Sequence, residues 1–329
     1  MATTKSRLLS CLKGNLGQWV SGERISNQLG ISRAAIWKQI NSLKEDGHII
    51  QSAPRKGYRL DEAADLLSRE EISAGLNTRI MGRTSIEVFK ETDSTNLQAK
   101  TLASRGAPEG TLVVADTQTQ GRGRRGRVWF SPPCQSLYAS IILRPPLAPA
   151  QAPRITLMTA VALVRTLRNS GLDARIKWPN DILVEGKKIA GILTEVSMEM
   201  DLVDWVIVGL GLNVNTTARQ MPPDIREIAT SARIVAGHAF PRVELLCTLL
   251  QNFEAVYEQL KTEGYGPIMA QWRSMSDIIG ARVYVDVMQT RHVGTVAAVD
   301  DDGVLILRDD DGRTHRIFSG DVTRIRPEA

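Results

Sequence analysis

The chain has 329 residues, 43% of them hydrophobic and 23% charged. That is an ordinary soluble composition, and the length suits two or three domains rather than one. The N-terminal MATTKSRLLSCLKG has too short an apolar run for a signal peptide or a membrane span, and no membrane partner is expected. Cys11, Cys134 and Cys247 form no C-x-x-C pair, and there are only four histidines. This pattern excludes a disulfide framework and a structural zinc site and fits a reducing cytoplasm. The net charge of +5 is uneven: residues 1–60 carry ten Lys/Arg against three acids, a local +7, so the remainder is slightly acidic. A basic excess at one end predicts a polyanion partner for that end alone.

Three short helical patterns come first: SRLLSCLKG ending at Gly14, SGERISNQLG from Ser21 to Gly30, and SRAAIWKQINSLKEDG from an N-cap at Ser32 to Gly47. The LGIS connection is a tight, glycine-bearing turn of helix-turn-helix type. Ile36, Ile40 and Leu43 form the buried stripe of the third helix. Lys38 and Asn41 fall on its far side, and with Ser32, Arg33 and Ala34 they would reach a major groove. HIIQSAPRKGYRL reads as strand, turn, strand, with Arg55 and Lys56 at the tip of a basic wing able to touch phosphate. A helical hairpin used for protein contacts is the alternative; the wing favours DNA. DEAADLL reverses the charge sign and marks a linker at Asp61–Leu67, and Ser68 to Glu71 offers a capping box.

From about Arg69 to Trp272 helices and strands alternate. Helices are expected at Ser94–Ser104, Ala152–Asn169 and through Arg242–Thr262. Strands are expected at Thr111–Ala115, Leu137–Leu143, Ala174–Lys177, Ile182–Val184, Ile189–Val196 and Trp205–Val214, enough for one sizeable sheet covered by helices. Between two of these strands lies QGRGRRGRVW. Its Gly121, Gly123 and Gly126 match G-x-G-x-x-G, yet RVWFSPP cannot open the helix that a dinucleotide site requires. Arg122, Arg124, Arg125 and Arg127 repel one another, so the loop should be disordered alone and ordered by an anion. A solvated basic tract is the plainer reading, but a position between buried strands suggests the rim of a pocket. In KWPNDIL, Pro179 forces a bend and Asn180-Asp181 present an amide and a carboxylate, for a metal-nucleotide or equally for a local Asx-turn. EGKKIAGILTE turns at Glu185-Gly186. Strand alternation lets only one of Lys187 and Lys188 face a site, and Gly191 allows close approach. ETDSTN sets Ser94, Thr95 and Asn96 at a helix start, where free N–H groups and hydroxyls can bind an acyl or ureido oxygen; an ordinary N-cap explains Ser94 equally well. The C-terminal segment reads as five or six short strands joined by Asp-rich glycine turns, a small SH3-like barrel. Neither DDDG has the first acid of a calcium loop.

Taken in order, SGERISNQLGISRAAIWKQINSLKEDG, RKGYRL, TDSTN, QTQGRGRRGRVWFSP, LYASIILR, KWPNDIL, GKKIAGILTE and GLGLNVN resemble the bifunctional biotin–protein ligases that double as biotin operon repressors. The resemblance covers nearly the whole chain. It implies a multidomain α+β protein: a winged helix-turn-helix at 1–66, a central mixed α/β ligase domain at 67–275 and the SH3-like β-barrel at 276–329. It implies ATP and biotin as substrates, Mg²⁺, a biotin carboxyl carrier protein, operator DNA and a homodimer promoted by biotinyl-AMP. Lys188 and Arg124 correspond to the catalytic cations. Ser94, Thr95, Asn96, Gln118, Gly121, Arg122, Gly123, Arg124, Trp129, Lys188, Gly191 and Asn213 correspond to the biotin and adenylate contacts, with Trp129 over the adenine and Asp181 a candidate for ATP or Mg²⁺. One departure stands out: Cys134 in SPPCQSLY replaces a usual glycine and is expected to restrict the turn. It is not expected to be catalytic, because the family's nucleophile is the carrier lysine.

Overall fold

The computed structural model describes residues 3–45, 47–61, 65–199 and 202–325. The N-terminal module comprises α1 (Thr4–Lys13), α2 (Gly22–Leu29), α3 (Arg33–Glu45) and the antiparallel pair β1 (Ile50–Ala53) and β2 (Gly57–Leu60). Its caps follow the sequence: Ser21 accepts the Arg24 N–H, Ser32 accepts the Ala35 N–H, and Gly30 ends α2 in the left-handed region. Leu8, Leu12, Ile25, Ile36, Ile40, Leu43 and Leu60 close a separate small core. Gly57 is required at the wing, since a Cβ there would lie 2.1 Å from the Val20 carbonyl oxygen.

The central unit runs α4 (Arg69–Gly75), β3 (Ile86–Phe89), α5 (Thr95–Ser104), β4 (Leu112–Ala115), β5 (Leu137–Leu143), α6 (Pro153–Asn169), β6 (Ala174–Lys177), β7 (Asp181–Val184), β8 (Lys187–Glu199), β9 (Leu202–Leu212), α7 (Pro223–Arg226), α8 (Ala232–Ala236), α9 (Arg242–Glu263) and α10 (Gly266–Ser274). Its seven strands order as β3-β4-β5-β9-β8-β7-β6, antiparallel except for β3 beside β4. Helices α6, α9 and α10 bury one face in the main core, whereas α5 covers only part of the other, over Val113, Ile142, Trp205 and Ile207. The uncovered part of that second face is where the site forms. A five-stranded antiparallel sheet follows: β10 (Arg282–Val287), β11 (Thr290–Val299), β12 (Leu305–Arg308), β13 (Thr314–Ile317) and β14 (Asp321–Arg324), ordered β13-β12-β11-β10-β14. Its core is continuous with the central one. Both DDDG segments are turns, with Asp300 and Asp309 carboxylates accepting local backbone N–H groups. Trp178 donates from Nε1 to the Gly303 carbonyl (2.9 Å), tying one turn to the KWPND segment.

Two buried charges join the N-terminal module to the rest. Glu71, 1% exposed, pairs with Lys13 and lies 3.7 Å from His48. Burial raises the Glu71 carboxyl above its ordinary range, against the pull of Lys13. The capping box is therefore only half formed: Ser68 accepts the Glu71 N–H, but the Glu71 carboxylate is committed to Lys13. The expected linker, Asp61–Leu67, includes residues 62–64, which lie outside the described residues; at its far end Asp65 is held by Arg242, itself 1% exposed. Arg242 also bonds Asp116 (2.8 Å), at the end of β4.

Cys134 has φ +58°, a left-handed conformation that costs an L-residue about 1–2 kcal/mol. Burial, then Asp116, push its thiol up, away from thiolate chemistry. Cys134→Gly should accordingly raise the unfolding free energy by about 1 kcal/mol, after the extra unfolded-state freedom of glycine is counted, and with it the urea midpoint of the central unit. An unchanged or lowered midpoint would count against strain at this turn.

Candidate functional site

A cavity of about 1230 Å³ opens on the uncovered sheet face, floored by β6–β9 and roofed by the glycine–arginine loop and strands β10 and β14. Ser94, Thr95, Asn96, Gln118, Arg122, Gly123, Arg124, Trp129, Asp181, Lys188, Gly191 and Asn213 all line it. Gly121 does not; it sits behind the loop, where a Cβ would lie 2.5 Å from the Trp129 carbonyl oxygen, and its carbonyl accepts the Trp129 N–H. Its part is to let the loop fold back on itself.

Lys188 reaches the cavity through a break in strand alternation. Ile182 pairs with Ala190 and Leu183 with Lys188, so Ile189 is the extra residue of a bulge. The bulge turns Lys188 to the same face as Gly191, which strict alternation would forbid. Its backbone is held by Ile228 and Thr230 on both sides, and its ammonium lies 2.6 Å from Asp181. Lys187 points elsewhere, to the Arg226 carbonyl.

Against the expectation of disorder, the loop is tied to carboxylate and amide groups of the protein itself. Arg125 and Arg127 both pair with Asp321 of β14, and Arg124 donates to Asn180 Oδ1 (2.9 Å). Gly123 and Arg127 close the loop through backbone bonds, with Arg125 at φ +56° on its tip. Burial lowers the Arg124 guanidinium below its ordinary value, Asp321 opposing and Arg125 reinforcing. Asn180 forms no Asx-turn; its Nδ2 donates to the Ile192 carbonyl, locking the turn to β8.

Glycines make the floor. The Trp129 indole lies where Cβ atoms on Gly211 and Gly191 would be, at 2.4 and 2.9 Å, and Lys188 Nζ stands 5.3 Å from its ring centroid. At the other end, Ser94 holds the N-cap position of α5 without a side-chain cap bond, and it lines the cavity. Thr95 donates its N–H to Gln118 Oε1 (2.8 Å), and Gln118 Nε2 donates to Ser131. Asn213 Nδ2 is taken up by the Thr230 carbonyl. Asp321 belongs to the site without being marked by any of the motifs, and Gly209 and Gly211 belong to it as the glycines of GLGLNVN, whose role that motif did not show. Only the glycines leave a trace, because alternate glycines along one strand face signal something bulky packed there.

On the N-terminal module, Ser32, Arg33, Ala34 and Lys38 are exposed and Asn41 half-buried on one side of α3, and Arg55 and Lys56 are exposed at the wing tip. Trp37, 61% exposed, shares that helix face, an addition to the residues expected there. Trp19 lies under Lys56 and Arg59, with their cations 5.9 and 5.2 Å from its ring centroid.

Three family models match the chain in succession. Residues 4–59 match an HTH domain model, 88–213 the biotin/lipoate A/B protein ligase family, and 279–323 the biotin protein ligase C-terminal domain. The bifunctional ligase/repressor BirA of Bacillus subtilis is 40% identical over 98% of both chains. The chain belongs to the bifunctional biotin ligase/repressor family. Its Escherichia coli relative is 31% identical over 89% of each chain. A solved biotin protein ligase from Aquifex aeolicus, in complex with biotin and ATP, superposes with a TM-score of 0.63 at 28% identity, covering 74% of this chain and 99% of that one.

Gly211→Ala should push the indole of Trp129 off its seat, detectable as a shift in tryptophan emission and near-ultraviolet dichroism with the fold intact. Spectra identical to wild type would mean that the ring does not rest on Gly211.

Proposed function

We propose that this ligase/repressor activates biotin as biotinyl-5′-AMP, transfers it to a carrier-protein lysine, and represses transcription as a dimer while the adenylate is bound. The observation that carries the reading is the convergence of Lys188, Arg124 and the buried hydroxyl and amide groups of Ser94–Asn96 on one cavity. A carboxylate oxygen of biotin attacks the α-phosphorus of ATP, forming a C–O–P anhydride as the α–β bond breaks and pyrophosphate leaves. Negative charge gathers between two anions, and Arg124 and Lys188 offset it. Asp181 is a single carboxylate already paired with Lys188. That suits Mg²⁺ held jointly by substrate phosphates better than a protein-only cage, and the ion would neutralise phosphate charge there. Water would destroy the mixed anhydride, so the arginine loop, held down at Asp321, shields it. The neutral amine of the carrier lysine then attacks the acyl carbon, an amide forms, AMP leaves with the bonding electrons, and the amine proton passes to solvent.

A lipoate-type ligase would share the sheet and the lysine; the C-terminal domain match and the basic N-terminal module support biotin and DNA. Three free cysteines, two of them buried, accord with a reducing cytoplasm. Among the described residues no helix is long and apolar enough to cross a membrane. Domain boundaries near residues 66 and 275 belong to the same proposal.

Purified chain with MgATP and labelled biotin should release pyrophosphate and label a carrier-domain lysine, and Lys188→Ala should slow adenylate formation by about 10²–10³-fold. Near-normal adenylate formation by that variant would remove Lys188 from catalysis. On operator DNA, Lys56→Ala should weaken binding at every sequence and lower the salt slope by about 1. Sedimentation should show a dimer with adenylate bound; a monomer at all concentrations would exclude paired wings on a palindrome.

A further inference from the structure

Trp37 is 61% exposed, whereas the other five tryptophans of the chain are buried or half-buried. It is the fifth residue of α3, and its indole has no hydrogen-bond, cation or ring partner among the described residues. One exposed apolar side chain needs no explanation by itself. The surroundings of this one do. At 3.6 residues per turn, Trp37 and Asn41 lie at the centre of the exposed face of α3, with Arg33 to one side and Lys38 to the other. Ala34, three residues earlier, is its neighbour along the helix and leaves room for the ring. The Cα–Cβ bond of a helical residue leans toward the N-terminus, so the indole covers the first turn. In a helix that enters a major groove, that turn meets the base edges. The rim is cationic: Arg33, Lys38, Arg55 and Lys56 are all exposed, in the segment that holds the basic excess of the chain. A phosphate backbone complements that charge.

We propose that Trp37 is a specificity-determining residue of this module, reading one thymine in each operator half-site through its C5 methyl group. The inference rests on the repressor reading above and adds an apolar contact to the polar ones expected of Arg33, Lys38 and Asn41. An indole offers a large apolar surface and one N–H that can only donate. In the major groove thymine presents a methyl group with the acceptor O4 beside it, whereas cytosine carries an amino donor and no methyl. The ring therefore matches thymine in both shape and polarity. Its water-exposed surface in the free protein becomes buried only when a base edge lies against it, so the contact stabilises the bound state alone.

The test starts from the wild-type chain with biotin and MgATP, used to select binding sites from a pool of random duplexes. Each thymine of the selected duplex is then replaced in turn by deoxyuridine, which removes only the methyl group. Wild type, Trp37→Phe and Trp37→Ala are titrated with these duplexes and with an unrelated one. Deoxyuridine at one position per half-site should weaken wild type about three- to tenfold. Trp37→Phe keeps an apolar ring and should retain that sensitivity. Trp37→Ala should bind the selected duplex roughly 10- to 100-fold more weakly, be indifferent to deoxyuridine, and bind the unrelated duplex as wild type does. Wild-type affinity unchanged by deoxyuridine at every position would overturn the proposal. So would Trp37→Ala that stays as sensitive to it as wild type, or that loses affinity equally for both duplexes. Trp37→Phe indifferent to deoxyuridine would make the N–H the reader and refute the methyl contact. Loss of the dimer in Trp37→Ala, seen by sedimentation, would assign the indole to a contact between copies instead. A wild-type chain that enriches no sequence would defeat the repressor reading itself, before any variant is compared.

Discussion

The site depends on the way β8 departs from two-residue alternation at a single point. Beyond Ile189 the strand presents Gly191, Leu193 and Glu195 to the α5 side while Ala190, Ile192 and Thr194 face α6, as Thr194 shows by bonding Thr156. Before the bulge the parity is reversed, and Lys188 joins the first set. One inserted residue thus brings the Lys188 ammonium and the Glu195 carboxylate onto the same strand face. Without it, Lys188 would point into the apolar layer beneath α6, where an unpaired ammonium is prohibitively costly.

The glycines of β9 are the complement of that strand. Gly209 and Gly211 give up side-chain packing so that Asn96 and Trp129 can lie directly on the sheet. A polar amide and an indole thereby sit at backbone level, and the cavity gains depth without lengthening any loop. The glycine–arginine loop adds a roof in which Arg125 and Arg127 are balanced by Asp321 of the C-terminal sheet. Electrostatic repulsion among four arginines argues for disorder only when no carboxylate is near. Sequence distance hides the one that is.

Legibility in the sequence follows from range. Helix caps, the wing and the strands from Leu137 to Lys177 are readable because turn chemistry and periodicity are local. Short β3 and α10 escape because four residues of strand or a brief helix give little periodic signal. In KWPND the motif is visible, but the partners that hold it lie outside it, Arg124 and Ile192 for Asn180 and Lys188 for Asp181. A bulge leaves no mark in a single sequence, so family resemblance can say which of two adjacent lysines turns inward, whereas alternation alone cannot. Arg242 reads locally as the mere start of a helix, since the oxygens its guanidinium bonds belong to Asp65, Asp116 and Ser136 in three other segments.

Arg242 and Glu71 also bear on how separable the parts of this molecule are. The N-terminal module has its own core and its own matching model, and by sequence it looks detachable. Its removal would nevertheless take Lys13 from a buried glutamate, where breaking a buried pair costs about 3–5 kcal/mol, and Asp65 from a buried arginine that would keep only Asp116 as its counter-charge. A ligase trimmed to its catalytic half would be destabilised at both points unless residues 71 and 242 changed with it. Modularity here is a property of the sequence map more than of the folding free energy.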